Sequence, residues 1–96
     1  MLTPKQRSYL RSLANDMQPI LQVGKGGINE NLIKQIDDAL EARELIKLSA
    51  LKTAPITAKE ACEALAQATE AEAVFSIGNR FVLYRESNEN KKIFLE

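Results

Sequence analysis

The sequence predicts a single α/β domain with a small four-stranded mixed sheet. Helical and strand-like hydrophobic periods alternate along the chain. A succession of strand, helix and strand predicts a parallel pair joined by a crossover helix, and two strands separated by a tight turn follow near the end. The expected order over residues 1–96 is therefore α-β-α-β-α-β-β.

Each helix begins at a residue pattern that favours a helix N-terminus. Thr3 with Gln6 and Thr57 with Glu60 have the spacing of capping boxes, and Asn29 is a good N-cap. The expected bounds are a helix from Pro4 to Met17, a strand from Ile20 to Val23, a helix from Asn29 to Arg43 or Glu44, a strand from Leu45 to Ala50, a helix from Thr57, a strand from Ala73 to Ile77 and a strand from Phe81 to Arg85.

Apolar spacing predicts which positions are buried. Both faces of the last two strands are apolar, so we expect both faces of the sheet to be covered. Cys62 is expected to pack as a small core residue, and residues 86–96 to form a loosely attached tail whose last apolar residues pack back or extend a sheet edge. The helix positions expected to be buried are Leu10, Leu13, Ala14 and Met17, then Leu32, Ile33, Ile36 and Leu40, then Ala61, Ala64, Leu65 and Ala68.

Composition indicates a soluble intracellular domain. The chain has 13 basic and 13 acidic residues, a single cysteine and no histidine. One cysteine cannot form an internal disulfide, and no apolar run approaches the roughly 20 residues of a membrane span. We therefore expect a cytoplasmic protein without membrane contact. Without histidine, metal-ligand spacing or a paired carboxylate motif, we expect no catalytic residue, cofactor or metal site.

A glycine-rich turn separates the first strand from the second helix. Gly24, Gly26 and Gly27 surround Lys25, and Asn29 follows as the N-cap. A helix N-terminus beside such a turn can bind an anion such as phosphate. The pattern lacks the spacing of a Walker or dinucleotide loop. On the local sequence alone, a purely structural turn is therefore favoured over a phosphate site.

Charges are segregated along the chain although their sum is zero. Residues 1–29 and 45–59 and the last strand pair are mainly basic, whereas the second and third helices are mainly acidic. This distribution is compatible with one basic and one acidic face, and equally with ordinary solvated surfaces.

Three separated motifs resemble one known family. They are the run Ile20–Glu30, the helix end and strand start Ala42–Lys47, and the hairpin Ile77–Arg85. Together they resemble the CRM domain, named for chloroplast RNA splicing and ribosome maturation, in its bacterial stand-alone YhbY-type form. The resemblance covers essentially the whole chain. It implies a fold like the C-terminal domain of translation initiation factor three and binding to structured RNA, in particular large-subunit ribosomal RNA or its precursor particle.

The resemblance also reverses the order of the two interpretations of the turn. The Gly-x-x-Gly loop of the family falls on Gly24–Gly27, so RNA phosphate contact now leads, with Lys25 as a mobile counter-charge. Relatives often have a basic residue in place of Asn79 and a glycine in place of Glu70, so the third helix is expected to end differently here. The candidate RNA-binding residues are Gly24, Lys25, Gly26, Gly27, Asn29, Asn79, Arg80 and Arg85, with Lys5, Arg7 and Arg11 as a second rank.

A protein-interaction module is the alternative function. The acidic second and third helices would then dock a basic ribosomal protein without direct RNA contact. Charge changes at Lys25 should affect RNA binding, whereas neutralising Asp37, Asp38 and Glu41 should affect protein docking.

Overall fold

Three helices and four strands follow one another in the predicted order. The structure is a computed structural model that describes residues 2–95. The elements are α1 (Pro4–Ala14), β1 (Leu21–Val23), α2 (Glu30–Arg43), β2 (Leu45–Ala50), α3 (Ala58–Thr69), β3 (Glu72–Ile77) and β4 (Arg80–Tyr84).

The four strands form one mixed sheet in the order β1-β2-β4-β3. The pair β1–β2 is parallel, and β4 runs antiparallel to both of its neighbours. The C-terminal ends of β1 and β2 therefore lie at the same end of the sheet as the N-terminal end of β4. We call this the loop end. It consists of the glycine turn and N-cap (24–29), the connection 51–57 and the hairpin turn (78–79).

Helices cover both faces of the sheet, as the apolar hairpin predicts. On one face, α2 and α3 bury Ile46, Leu48, Phe81 and Leu83 of the central strands. On the other face, α1 contributes Leu10 and Ala14 to a smaller cluster. The strand residues of this smaller cluster are Leu45, Val74, Val82 and Tyr84.

Helix α1 is shorter than predicted. It ends at Ala14, and the chain then tightens into turns in which the Met17 N–H donates to the Ala14 carbonyl at 3.1 Å. Leu13, expected in the core, is exposed. The early end of α1 leaves the sheet beside the loop end without a helix on this face.

The buried stripe of α3 also differs from the prediction. Ala64 and Ala68 are exposed, whereas Cys62 is buried as expected. Alanine gives little contrast between faces, so a stripe in an alanine-rich helix is poorly specified by the sequence. The buried residues of α3 are Ala58, Ala61, Cys62, Leu65, Ala66 and Thr69.

The predicted helix starts are confirmed, whereas the end of α3, like that of α1, differs from the prediction. Thr3 and Thr57 both form complete capping boxes, and Asn29 caps α2. At the end of α3, Glu70 adopts the left-handed conformation with φ 57°. The glycine-type cap is therefore kept, although glutamate replaces the residue that favours it.

The described residues after β4 contact the C-terminal end of α2 and pack back on the domain. Glu44 is fully buried and accepts the backbone N–H groups of Ser87, Lys92 and Ile93 at 2.6–2.7 Å. Ile93 and Leu95 pack against the α1 cluster. Residue 96 lies outside the described residues.

Candidate nucleic-acid interface

A hydrogen-bonded turn presents the glycine sequence to solvent. The Gly27 N–H donates to the Gly24 carbonyl at 2.9 Å, which leaves Lys25 and Gly26 exposed at the tip. Gly27 itself is buried with φ +69°, and a Cβ on it would lie 3.1 Å from Cγ of Pro55. Gly27 is therefore required by the backbone, whereas the exposed tip residues are accessible to a ligand.

The N-terminus of α2 lies directly after this turn. The Asn29 side chain accepts the Leu32 N–H at 2.9 Å, and the Asn29 backbone carbonyl accepts the Ile33 N–H at 3.0 Å. The first amides of a helix lack intrahelical acceptors, and the aligned peptide dipoles make this end positive. Exposed backbone, a positive helix end and a lysine thus adjoin one another, which is a favourable arrangement for phosphate.

Two further connections fasten the glycine turn to the rest of the loop end. The Leu51 N–H donates to the Val23 carbonyl at 2.9 Å, and the Ala50 N–H donates to the Asn79 carbonyl at 2.7 Å. The structure therefore brings Asn79 and Arg80 to the same end of the sheet as Lys25. All three side chains are exposed.

Lys52 is a basic residue of the loop end that is absent from the predicted set. It is exposed and lines an open groove with Thr57, Gly78 and Asn79. A sequence signal for it exists, because loops that follow neighbouring parallel strands lie at the same sheet edge. The carboxylate of Glu60 at this end is engaged in a capping box, and the Thr57 N–H and hydroxyl lower its pKa.

The structure does not place Arg85 with the loop-end residues. Arg85 follows β4 and therefore lies at the opposite end of the sheet. Its guanidinium donates to the Asp37 carboxylate at 2.5 Å and to the Thr69 carbonyl at 2.9 Å. These contacts tie the end of β4 to α2 and α3, so Arg85 does not extend a basic surface around the glycine turn.

The second-rank candidates lie along α1. Arg7 donates to the carbonyls of Ala73 and Val74, which fastens α1 to the edge strand β3. The Arg11 guanidinium lies 4.8 Å from the centre of the Phe75 ring, a cation–π distance. Lys5 lines a groove between α1 and the C-terminal residues. The structure thus gives Arg7 and Arg11 internal contacts.

The end opposite the glycine turn is mainly acidic. Its carboxylates line an open groove around Arg85, and we call this region the acidic end. The Glu41 carboxylate accepts the Ser87 hydroxyl at 2.5 Å and backbone N–H groups of the chain after β4, and these hydrogen bonds lower its pKa. The carboxylates of the acidic end are those of Asp37, Asp38, Glu41, Glu70 and Glu86.

Other chemistry has little support within residues 2–95. In this part of the chain no group of three or more carboxylate or cysteine side chains could hold a metal ion. Burial raises the pKa of the Cys62 thiol to about 11, so the thiolate needed for nucleophilic attack is scarce at neutral pH. None of the described helices combines the length and the apolar character needed to cross a bilayer.

Comparison with known proteins identifies the family. The sequence model of the CRS1 / YhbY (CRM) domain matches residues 2–85. The chain belongs to the CRM family. Its predicted family and fold are therefore confirmed.

Two bacterial relatives and one solved structure are similar to this CRM chain over nearly their whole lengths. The chain is 54% identical to the probable RNA-binding protein YqeI of Bacillus subtilis over 95 residues, which cover 99% of each chain. It is 34% identical to an RNA-binding protein of Haemophilus influenzae, over 94% of this chain and 91% of the relative. The solution structure of the Staphylococcus aureus protein SAV1595, described as a candidate RNA-binding protein, has a TM-score of 0.83 at 58% identity, with both chains fully covered.

Proposed function

We propose that this CRM protein binds structured RNA through its loop end and acts in assembly of the large ribosomal subunit. The observation that carries the proposal is the exposed Gly24–Gly27 turn at the N-terminus of α2, with Lys25 at its tip. The names of its relatives support RNA as the partner. The ribosomal role rests on what the family resemblance implies.

RNA phosphate would lie against the turn and the first amides of α2. Gly26 keeps the backbone accessible, and Lys25 supplies a mobile positive charge at the same point. Lys52, Asn79 and Arg80 lie at the same end of the sheet, next to the ends of the neighbouring strands. The loop end is formed by three loops and can contact the RNA backbone at several places. It therefore fits a folded RNA better than a single phosphate.

Fluorescence anisotropy with a structured fragment of large-subunit ribosomal RNA tests this proposal. Lys25→Glu should weaken binding at least about tenfold, because it replaces an attraction with a repulsion at the phosphate. The matched control is Lys34→Glu, which makes the same charge change at an exposed position within α2. It should change affinity much less.

Salt and a DNA duplex complete the experiment. Each phosphate neutralised should contribute about −0.7 to −0.9 to the slope of log affinity against log salt. We expect tighter binding to the RNA than to a DNA duplex of equal length. Negligible RNA binding, or equal losses for Lys25→Glu and Lys34→Glu, would contradict the proposal.

The acidic end offers the alternative of docking a basic protein, but several of its carboxylates have internal partners. Asp37 binds Arg85, and Glu41 binds Ser87 and the residues after it. Neutralising these two residues would weaken the fold itself. The discriminating variant is therefore Asp38→Asn, which should leave RNA affinity unchanged at about 0.15 M salt and reduce capture of basic ribosomal proteins only if docking occurs there.

A further inference from the structure

One side chain from each strand forms a row across the sheet at the loop end. Gln22 of β1 pairs with Ser49 of β2, Ser49 pairs with Arg80 of β4, and Arg80 pairs with Ile77 of β3. Directly paired residues point to the same face of a sheet. We call Gln22, Ser49, Arg80 and Ile77 the cross-strand row. It lies on the face that α1 covers, since Arg80 alternates with Phe81 and shares its face with Val82.

The cross-strand row is the part of this face that α1 leaves open. Val82 and Tyr84, further from the loop end on the same strand, are buried beneath α1. In the row, Gln22 and Arg80 are exposed, Ser49 is half-buried, and Ile77 is 63% exposed. Ser49 is also the one half-exposed residue of β2, whose other five residues are buried.

The chemistry of the row fits an unpaired nucleic acid. Gln22 and Ser49 can each donate and accept hydrogen bonds, Arg80 is a cation, and Ile77 offers an apolar contact. The next row on this face contains Lys47 opposite Val82, and Phe75 opposite Val82 with Arg11 over its ring. Neither row contains a carboxylate. Lys47 is buried, and the exposed guanidinium groups of Arg80 and Arg11 complement a polyanion.

The size of the row also fits a short stretch of nucleotides. Neighbouring strands lie about 4.8 Å apart, so four strands place the outer side chains about 14 Å apart. Four-stranded sheets of this width accommodate two or three bases in other RNA-binding folds. A protein partner is less suitable, because a single apolar side chain does not form the apolar core typical of such interfaces.

The row is continuous with the glycine turn. Gln22 lies two residues before Gly24, and both line one open groove with Asn29 and Gln35 along the edge strand β1. The hydrogen bond between the Ala50 N–H and the Asn79 carbonyl joins the end of β2 to the turn between β3 and β4, also at the loop end. A single-stranded RNA segment next to RNA held at the glycine turn would therefore reach the cross-strand row.

We propose that the cross-strand row binds two or three unpaired ribonucleotides adjoining the structured RNA that the glycine turn holds. This inference rests on the proposed function and specifies its ligand, an RNA double helix with a single-stranded extension. Gln22 and Ser49 bind sugar hydroxyls or base edges, Arg80 binds a phosphate, and Ile77 contacts a base face.

The test compares RNA hairpins that share one stem. One is blunt, one has a four-nucleotide extension at the 5′ end, one has the same extension at the 3′ end, and a further pair carries these extensions as deoxynucleotides. Wild-type protein should bind one of the two ribonucleotide-extended hairpins about tenfold tighter than the blunt hairpin. The deoxynucleotide extension should retain only part of this gain, because it lacks the 2′-hydroxyl.

The variant is the double substitution Gln22→Ala and Ile77→Ala, which shortens two exposed side chains outside the core. It should reduce the gain from the extension to less than about threefold and leave affinity for the blunt hairpin unchanged. Phe94→Ala is the matched control, because it removes a side chain that is 71% exposed at the C-terminal end of the chain. It should preserve the gain.

The outcomes separate this inference from the proposed function. Equal affinity of wild type for all hairpins, with loss of binding in Lys25→Glu, would overturn the row and leave the glycine turn as the RNA site. A double variant that weakens blunt and extended hairpins equally would also overturn the row. Absence of binding to every hairpin would overturn both proposals.

Discussion

Gly26 and Gly27 are neighbours in the turn but differ in what surrounds them. A Cβ on Gly26 would meet no atom within 4 Å, whereas one on Gly27 would lie 3.1 Å from Cγ of Pro55 in a left-handed backbone conformation. Gly26→Ala should therefore preserve stability and weaken RNA binding, because the added methyl group separates the backbone from phosphate. Gly27→Ala should lower the free energy of unfolding by about 1–3 kcal/mol.

Urea denaturation and RNA anisotropy on both variants check this pair. The two substitutions add the same methyl group one residue apart, so each serves as the control for the other. If Gly26→Ala binds RNA as tightly as the wild type, close approach of phosphate to the tip of the turn is excluded. If Gly27→Ala is as stable as the wild type, the turn is not constrained by φ and Pro55 as described.

At the same scale, the Glu44 carboxylate holds the chain that follows β4. It is buried, and its oxygens accept three backbone N–H groups, from Ser87, Lys92 and Ile93. A glutamine has only one acceptor oxygen and would direct an NH₂ group at one of these donors. Glu44→Gln should therefore cost about 1–3 kcal/mol of unfolding free energy, measured by denaturant titration. A loss within error would mean that this segment contributes little to stability.

The pH dependence of stability should follow from the same carboxylate. Burial raises the pKa of Glu44, but the three N–H donors outweigh burial, and the net pKa lies below the ordinary value of 4.5. Its stabilisation is therefore fully present above the unfolded pKa and is lost as pH falls through the folded pKa. Unfolding free energy should decline below about pH 4.5, with a shallower decline in Glu44→Gln. Equal pH profiles would contradict this assignment.

At the scale of elements, the end of α3 retains backbone strain. Glu70 is exposed with φ 57°, and its neighbour Ala71 donates its N–H to the Ala66 carbonyl at 2.8 Å, which closes the cap. Glu70→Gly should relieve the left-handed strain, partly offset by the greater entropy of glycine in the unfolded chain. We expect a net gain of about 0.5–1 kcal/mol, or about 2–8 °C in melting temperature.

Glu44→Gly is the comparison for that prediction. Glu44 also has a positive φ, of 67°, at the end of α2. Its side chain binds three backbone N–H groups, so glycine there should destabilise the protein despite the same relief of strain. Melting temperatures of both variants, measured by calorimetry, test whether Glu70→Gly stabilises and Glu44→Gly destabilises the protein. Destabilisation by Glu70→Gly would show that its side chain has a larger structural role than its exposure indicates.

Patterns among neighbouring residues predicted where the helices begin better than the sequence predicted which side chains meet at the candidate site. The capping residues Thr3, Asn29 and Thr57 were predictable, because capping depends on residues three or four apart. The position of Arg85 was not, because it depends on β4 inserting between β2 and β3 in the antiparallel direction. Strand order is decided by packing of the whole domain, which no single segment encodes.

At the scale of the whole molecule, zero net charge conceals a separation of charge. The loop end carries Lys25, Lys52 and Arg80, and the acidic end carries five carboxylates around Arg85. Strand β2 runs from one end to the other and spans about 17 Å. The described molecule measures 38 × 26 × 22 Å, whereas the Debye length is about 8 Å at physiological salt and about 30 Å at 0.01 M. The acidic end is therefore screened from bound RNA at high salt but not at low salt.

This separation predicts a salt-dependent effect of charge at the acidic end. Asp38→Lys replaces a negative charge with a positive charge at an exposed position of α2, eight residues and about 12 Å of helix beyond Glu30. RNA affinity should rise several-fold at 0.01 M salt, because the long-range field becomes more attractive, and should change little at 0.15 M. Lys25→Glu, at the proposed contact, should lower affinity under both conditions. Anisotropy titrations at the two salt concentrations measure both variants. An equal effect of Asp38→Lys at both concentrations would mean that RNA also contacts the acidic end directly, so that the two ends would not have the separate roles inferred from their charges.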